Sequence, residues 1–141
     1  MKLSIQPSTK IADFQKAFST GFPYLKIDFF AQPASCGRTA WLKYSIPDRQ
    51  ERFGELVGFT ANDAPFEASK TLTVAQFEQK MYEHYGVIVH VFRKSLGSWL
   101  ITSVTENWTL EAQNKKGEEM IPASTRADQF YRERINESNL V

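Results

Sequence analysis

The chain has 141 residues, 17 basic against 16 acidic side chains, and a single cysteine. Its length suits one domain, and 42% hydrophobic with 13% aromatic content excludes a wholly disordered chain. A net charge of +1 lacks the basic excess of a dedicated nucleic-acid binder, one cysteine rules out an intrachain disulfide, and no run approaches the ~18 apolar residues of a membrane span.

In chain order, residues 2–6 alternate, with Leu3 and Ile5 on one face, and predict a short strand that Pro7 ends. Ser8-Thr9 offers an N-cap for a helix over about 9–21, and Ile11, Phe14, Phe18 and Phe22 recur at spacings of 3, 4 and 4. Gly21 and Pro23 break that pattern. Residues 24–30 then alternate, with Leu25, Ile27 and Phe29 opposed to Lys26 and Asp28, as in a strand with one wet face. A loop is expected over 31–39 and a strand over 39–46, with a turn or short helix reaching Arg52. Residues 54–60 and the run after Pro65 read as further strands.

Thr73 and Gln76 have the spacing of a capping box, and Leu72 and Phe77 that of a hydrophobic staple. The helix they start repeats the earlier spacing through Val74, Phe77, Met81 and Tyr85, and Gly86 ends it. A strand follows with Val87, Val89 and Val91 on one face and Ile88, His90 and Phe92 on the other. Residues 94–97 predict a hairpin turn with Gly97 at positive φ, and 98–104 the returning strand. A short capped helix should follow, with Trp108 and Leu110 near its start and Gly117 just past its end. Residues 123–141 are polar and read as a C-terminal tail, helical over about 126–135, where Ser124 or Thr125 would cap it.

The two helix–strand segments echo each other and suggest an internal repeat. The expected fold is α+β over residues 1–122: two β-α-β units forming a mixed sheet with helices on one face, in a ferredoxin-like or related two-layer sandwich.

The segment 73–117 resembles a family of small uncharacterised bacterial proteins. Their pattern runs TV-x-ELE at a helix start, FG-L-x-VQVFRKSG at a strand and turn, then WLET and TDDWTLEQQN. The match covers Thr73-Val74, Gly86, Val89, the run from Val91 to Ser95, Trp99-Leu100, and Trp108-Thr109-Leu110-Glu111 with Gln113-Asn114. FPYLKIDFF resembles the family's N-terminal end. Two departures stand out: the glycine of the turn comes one place later, and Ile101 takes the place of an acid. The resemblance implies the α+β fold and a cytoplasmic compartment, and assigns no chemistry. The N-terminal ten residues, without a signal-like apolar stretch, lead to the same cytoplasmic expectation.

Chemistry-bearing residues are few. Cys36, beside Arg38, would need His84 or His90 in space to act as a nucleophile, and otherwise reads as a loop cysteine. Those two histidines would need a carboxylate to hold a metal. No P-loop, G-x-G-x-x-G, G-x-S-x-G or H-E-x-x-H motif is present. No cofactor and no catalytic residue is therefore expected. The leading expectation is a non-catalytic protein-interaction domain or small assembly subunit, binding a protein partner or itself. Its surface would draw on Phe92, Arg93, Lys94, Leu96, Trp99, Trp108, Phe130 and Tyr131, with exposed strand edges as a route to association. Alternatives are a nucleic-acid-binding sheet that uses Phe92, Arg93, Lys94 and Trp99, and an enzyme of unstated type. For Trp108, the alternative to a surface hot spot is an anchor that holds its short helix on the sheet.

Overall fold

The computed structural model describes residues 1–30, 51–56, 58–64 and 66–120. The fold is α+β in two layers. Strands are β1 (Lys2–Leu3), β2 (Leu25–Phe30), β3 (Phe66–Glu67), β4 (Ile88–Ser95) and β5 (Ser98–Ile101); helices are α1 (Ile11–Gly21), α2 (Val74–Tyr85) and α3 (Leu110–Glu119). Cys36, the strand expected over 39–46, the tail, and with it Phe130 and Tyr131, lie outside the described residues.

α1 buries Ile11, Phe14 and Phe18 on one stripe, as the 3-4 spacing requires. It begins later than expected. Lys10 is its N-cap and supplies no side-chain hydrogen bond. Thr9 is otherwise engaged: its hydroxyl accepts from Gln6 N–H at 3.0 Å, and its carbonyl accepts from Phe53 N–H. α2 starts as read. Thr73 Oγ1 accepts from Gln76 N–H, and the Gln76 amide oxygen accepts from Thr73 N–H, at 3.1 and 3.0 Å. Its buried stripe is Val74, Phe77, Met81 and Tyr85. Gly86 closes it in the left-handed region at φ 67°, where a Cβ would come within 2.1 Å of the Gly58 carbonyl oxygen. Only glycine meets both demands.

β2, β4 and β5 form an antiparallel sheet in that order, while β1 pairs with β3 in a separate two-stranded sheet. All pairings among the described strands are antiparallel, where a mixed sheet was expected. The register sets Leu25 against Arg93, Ile27 against Val91 and Phe29 against Val89. These side chains share the face that carries the helices. Phe14 meets Phe29 edge-on at 6.0 Å, and Phe18 lies 5.3 Å from Phe77, joining the two helical stripes over the sheet. Lys26, Asp28, His90, Phe92, Lys94 and Trp99 fall on the opposite, outer face.

Three local expectations change. Residues 54–60 form no strand among those described; Phe53–Glu55 is a single 3-10 turn that buries Phe53. The strand after position 65 is two residues long. Gly117 does not end α3 but lies inside it, because helix and sheet approach closely there: a Cβ would fall 2.8 Å from Tyr24 Cβ. Asn114 Oδ1, one turn earlier, accepts the Tyr24 backbone N–H at 2.8 Å. The same contact zone therefore needs a polar side chain and an absent one.

Part of the outer edge of β2 is occupied by α1. Lys94 N–H donates to Tyr24 O, so even-numbered β2 residues bond β4 and odd-numbered ones point away. Two of those outward carbonyls are capped by α1: Ser19 Oγ donates to Leu25 O at 3.0 Å and Gln15 Nε2 to Ile27 O at 2.9 Å.

Candidate functional site

The β4–β5 hairpin turns on two residues, Leu96 at φ 50° and Gly97 at φ 82°. Both central positions are left-handed, which matches the twist of the flanking strands. Glycine takes this conformation freely; leucine does not. Leu96 is 67% exposed, so no burial offsets its conformational cost.

From this tip the exposed apolar side chains run on through Trp99, Leu100, Val104 and Trp108. Trp99 and Ile101 point to the outer face and Leu100 to the helix side, by their register against Lys94, Phe92 and Arg93. β5 itself carries no charged residue.

On the outer face Lys26 Nζ lies 5.3 Å from both the Phe92 and the Trp99 ring centroids and 3.3 Å from Asp28 Oδ2. The lysine is thus already paired with a carboxylate and lies over both rings. Phe92, Lys94 and Trp99 were expected to share a surface, and they share this one. Arg93, their sequence neighbour, is on the other side and 8% exposed. Its Nη1 donates to Gln113 Oε1 at 2.9 Å, and the fully buried Gln113 donates on to Thr105 O and Oγ1 at 2.8 and 2.7 Å. The guanidinium carbon is 5.6 Å from the Trp108 ring centroid. Trp108 thus lies against Arg93 while 39% of the residue stays exposed. Leu110, two residues later, is fully buried.

The histidines have separate engagements. His84 Nε2 is 2.9 Å from Ala64 O, and its ring meets Phe66 edge-on. His90 Nδ1 is 3.5 Å from Glu78 Oε1, an oxygen that also accepts the Val91 N–H. Among the described residues no three His, Cys, Asp or Glu side chains group as metal ligands. A surface hollow of about 400 Å³ lies beside His84, lined also by Asn62, Phe66, Glu67, Lys80 and Glu83. No described helix is long and apolar enough to cross a membrane.

The surface expected from sequence did not include Lys26, Leu100, Ile101 or Val104. The absence of charge from residues 98 to 104 was the available signal for three of them. Comparison with family models, curated proteins and solved structures returned no match.

Proposed function

We propose that this chain is a non-catalytic protein-interaction domain that docks partners on its β4–β5 hairpin and the turn that follows. One observation carries the reading: of the six large apolar side chains exposed among the described residues, all but Tyr82 fall between positions 96 and 108. Scattered exposed apolar groups are ordinary, but five within thirteen positions, two of them tryptophans, gather the residue types of a binding hot spot on one hairpin and the turn after it. Leu96 adds to this. An exposed leucine in a left-handed turn serves neither packing nor the backbone, and such local conflicts concentrate at functional positions.

Nucleic acid is the less favoured partner. Arg93 faces the core, and Lys26 holds its charge against Asp28 while occupying ring surface that bases would stack upon.

Affinity purification from the native cell tests the proposal. Wild-type chain should retain a partner that the Leu96→Asn/Val104→Ser variant loses. Equal recovery with both would count against the hairpin tip as the docking surface.

A further inference from the structure

Resting on that reading, we infer that the partner at β5 is a second copy of this chain, joined antiparallel along the outward edge of β5 with Leu100 on a two-fold axis. Position 95 pairs with 98 across a two-residue turn, which makes it a hydrogen-bonded pair. The bond from Thr102 N–H to Val91 O continues that alternation. Residues 98, 100 and 102 therefore bond inward to β4, and the backbone N–H and C=O of Trp99 and Ile101 point outward. Among the described residues no strand pairs with that side.

Most sheet edges that must stay single carry a lysine, a proline or a cover. β2 has two of its outward carbonyls capped by α1. β5, Ser-Trp-Leu-Ile, carries no lysine or proline, and among the described residues no strand pairs with its outward side.

The choice of a second copy comes from the pattern. Ser98, Trp99, Leu100, Ile101 and Thr102 read polar, apolar, apolar, apolar, polar, the same in both directions about Leu100. A two-fold antiparallel pair sets each residue against its mirror position. Centred on Leu100, Trp99 and Ile101 of opposite copies exchange both backbone bonds, an aromatic against a β-branched side chain. Leu100 meets its own copy, and Ser98 meets Thr102. Centring on Trp99 instead would set Leu100 against Ser98, and centring on Ile101 would set it against Thr102. Only the Leu100 register keeps apolar on apolar. Charge does not oppose it: strands lie about 4.8 Å apart, so the two Lys94 strands would be roughly 14 Å from each other, beyond the ~10 Å screening length of dilute salt.

Sedimentation of the full chain over a concentration series tests this, with variants Leu100→Glu and Ile101→Pro. The first places two carboxylates face to face. The second removes an outward N–H and leaves the β4–β5 ladder intact. Wild type should dimerise, and each variant should weaken the dimer at least ~30-fold. The register is read separately by oxidation in a Cys36→Ser background. Leu100→Cys should cross-link to a covalent dimer, since opposed non-hydrogen-bonded positions have disulfide spacing; Leu96→Cys at the tip should not. A wild-type monomer, or a dimer that ignores both variants and fails to cross-link through position 100, overturns the inference. If the chain is monomeric but the Leu96→Asn/Val104→Ser variant still loses a native partner, the second copy is wrong and the docking surface stands. If the dimer forms through Leu100 but that variant retains every partner, the reverse holds.

Discussion

Arg93 and Gln113, twenty positions apart in the chain, are joined by one hydrogen bond of 2.9 Å at the junction of β4 and α3. The glutamine has no exposed surface, so it is the guanidinium's interior acceptor as well as the tie to Thr105. Gln113→Leu should therefore cost about 2–3 kcal/mol, the range for a lost bond to a buried charged group. The double variant Arg93→Met/Gln113→Leu should recover part of that, because no charge is then stranded. Urea midpoints at unchanged slope check the order: wild type, double variant, single variant.

Gly117→Ala separates packing from helix propensity. In an open helix the change would gain about 1 kcal/mol. Here the new methyl meets Tyr24 Cβ at 2.8 Å and Tyr24 O at 3.1 Å. The expected result is a loss of about 1–2 kcal/mol, the range for overpacking, and a gain would show that α3 can move off the sheet.

Leu96→Asn should raise stability by about 0.5–1 kcal/mol, since asparagine suits the left-handed turn position and leucine does not. The same variant should bind its partner less well. A thermal melt set beside the capture experiment reads both, and the opposite signs are the content of the prediction.

Thr73→Ala removes the hydroxyl that caps α2 and should cost about 1 kcal/mol. Thr109→Ala removes the matching bond to Ala112 N–H at the start of α3 and should cost a similar ~1 kcal/mol. Denaturant midpoints measure each.

Tyr85 is 1% exposed, and burial pushes its hydroxyl above the ordinary value of 10.0, partly offset by a hydrogen bond with the Ile5 backbone. The folded state thus holds this proton longer than the unfolded chain. Below 10.0 both states keep it and no pH dependence arises; above it the unfolded chain loses it first, so stability falls as pH rises through the raised folded value. Unfolding midpoints from about pH 9 to about 11 should fall less steeply in Tyr85→Phe than in wild type.

What could be read from sequence was what neighbouring residues decide. The capping box of α2 lies within four positions, and the stripes of α1 and α2 follow from helical spacing. Arg93 shows the limit. Its parity with Val89 and Val91 already placed it on the inward face, yet adjacency to Lys94 made the two look like one basic patch. The buried acceptor that makes an inward arginine tolerable, Gln113, is visible only once β4 and α3 pack. Gly117 misled for the same reason: a glycine near a helix end resembles a stop, and the reason a glycine stands inside this helix is Tyr24, far away in sequence. The separation of β1 and β3 from the larger sheet likewise depends on which distant strands meet. For the surface, Trp99 and Leu96 were legible as aromatic and apolar groups on a hairpin. The direction in which β5 leaves its backbone groups open was not, because that follows from the closing pair of the turn.

Gln15 and Ser19 of α1, which occupy the Ile27 and Leu25 carbonyls of β2, stand where a further strand would have to bond. In the inferred dimer the described strands would form one sheet with β2 at each end, and at each end two outward carbonyls would already be capped. A further strand would have to displace both caps. An uncharged, tryptophan-bearing edge would ordinarily invite polymers; the capped border opposite it would favour a pair over a fibre.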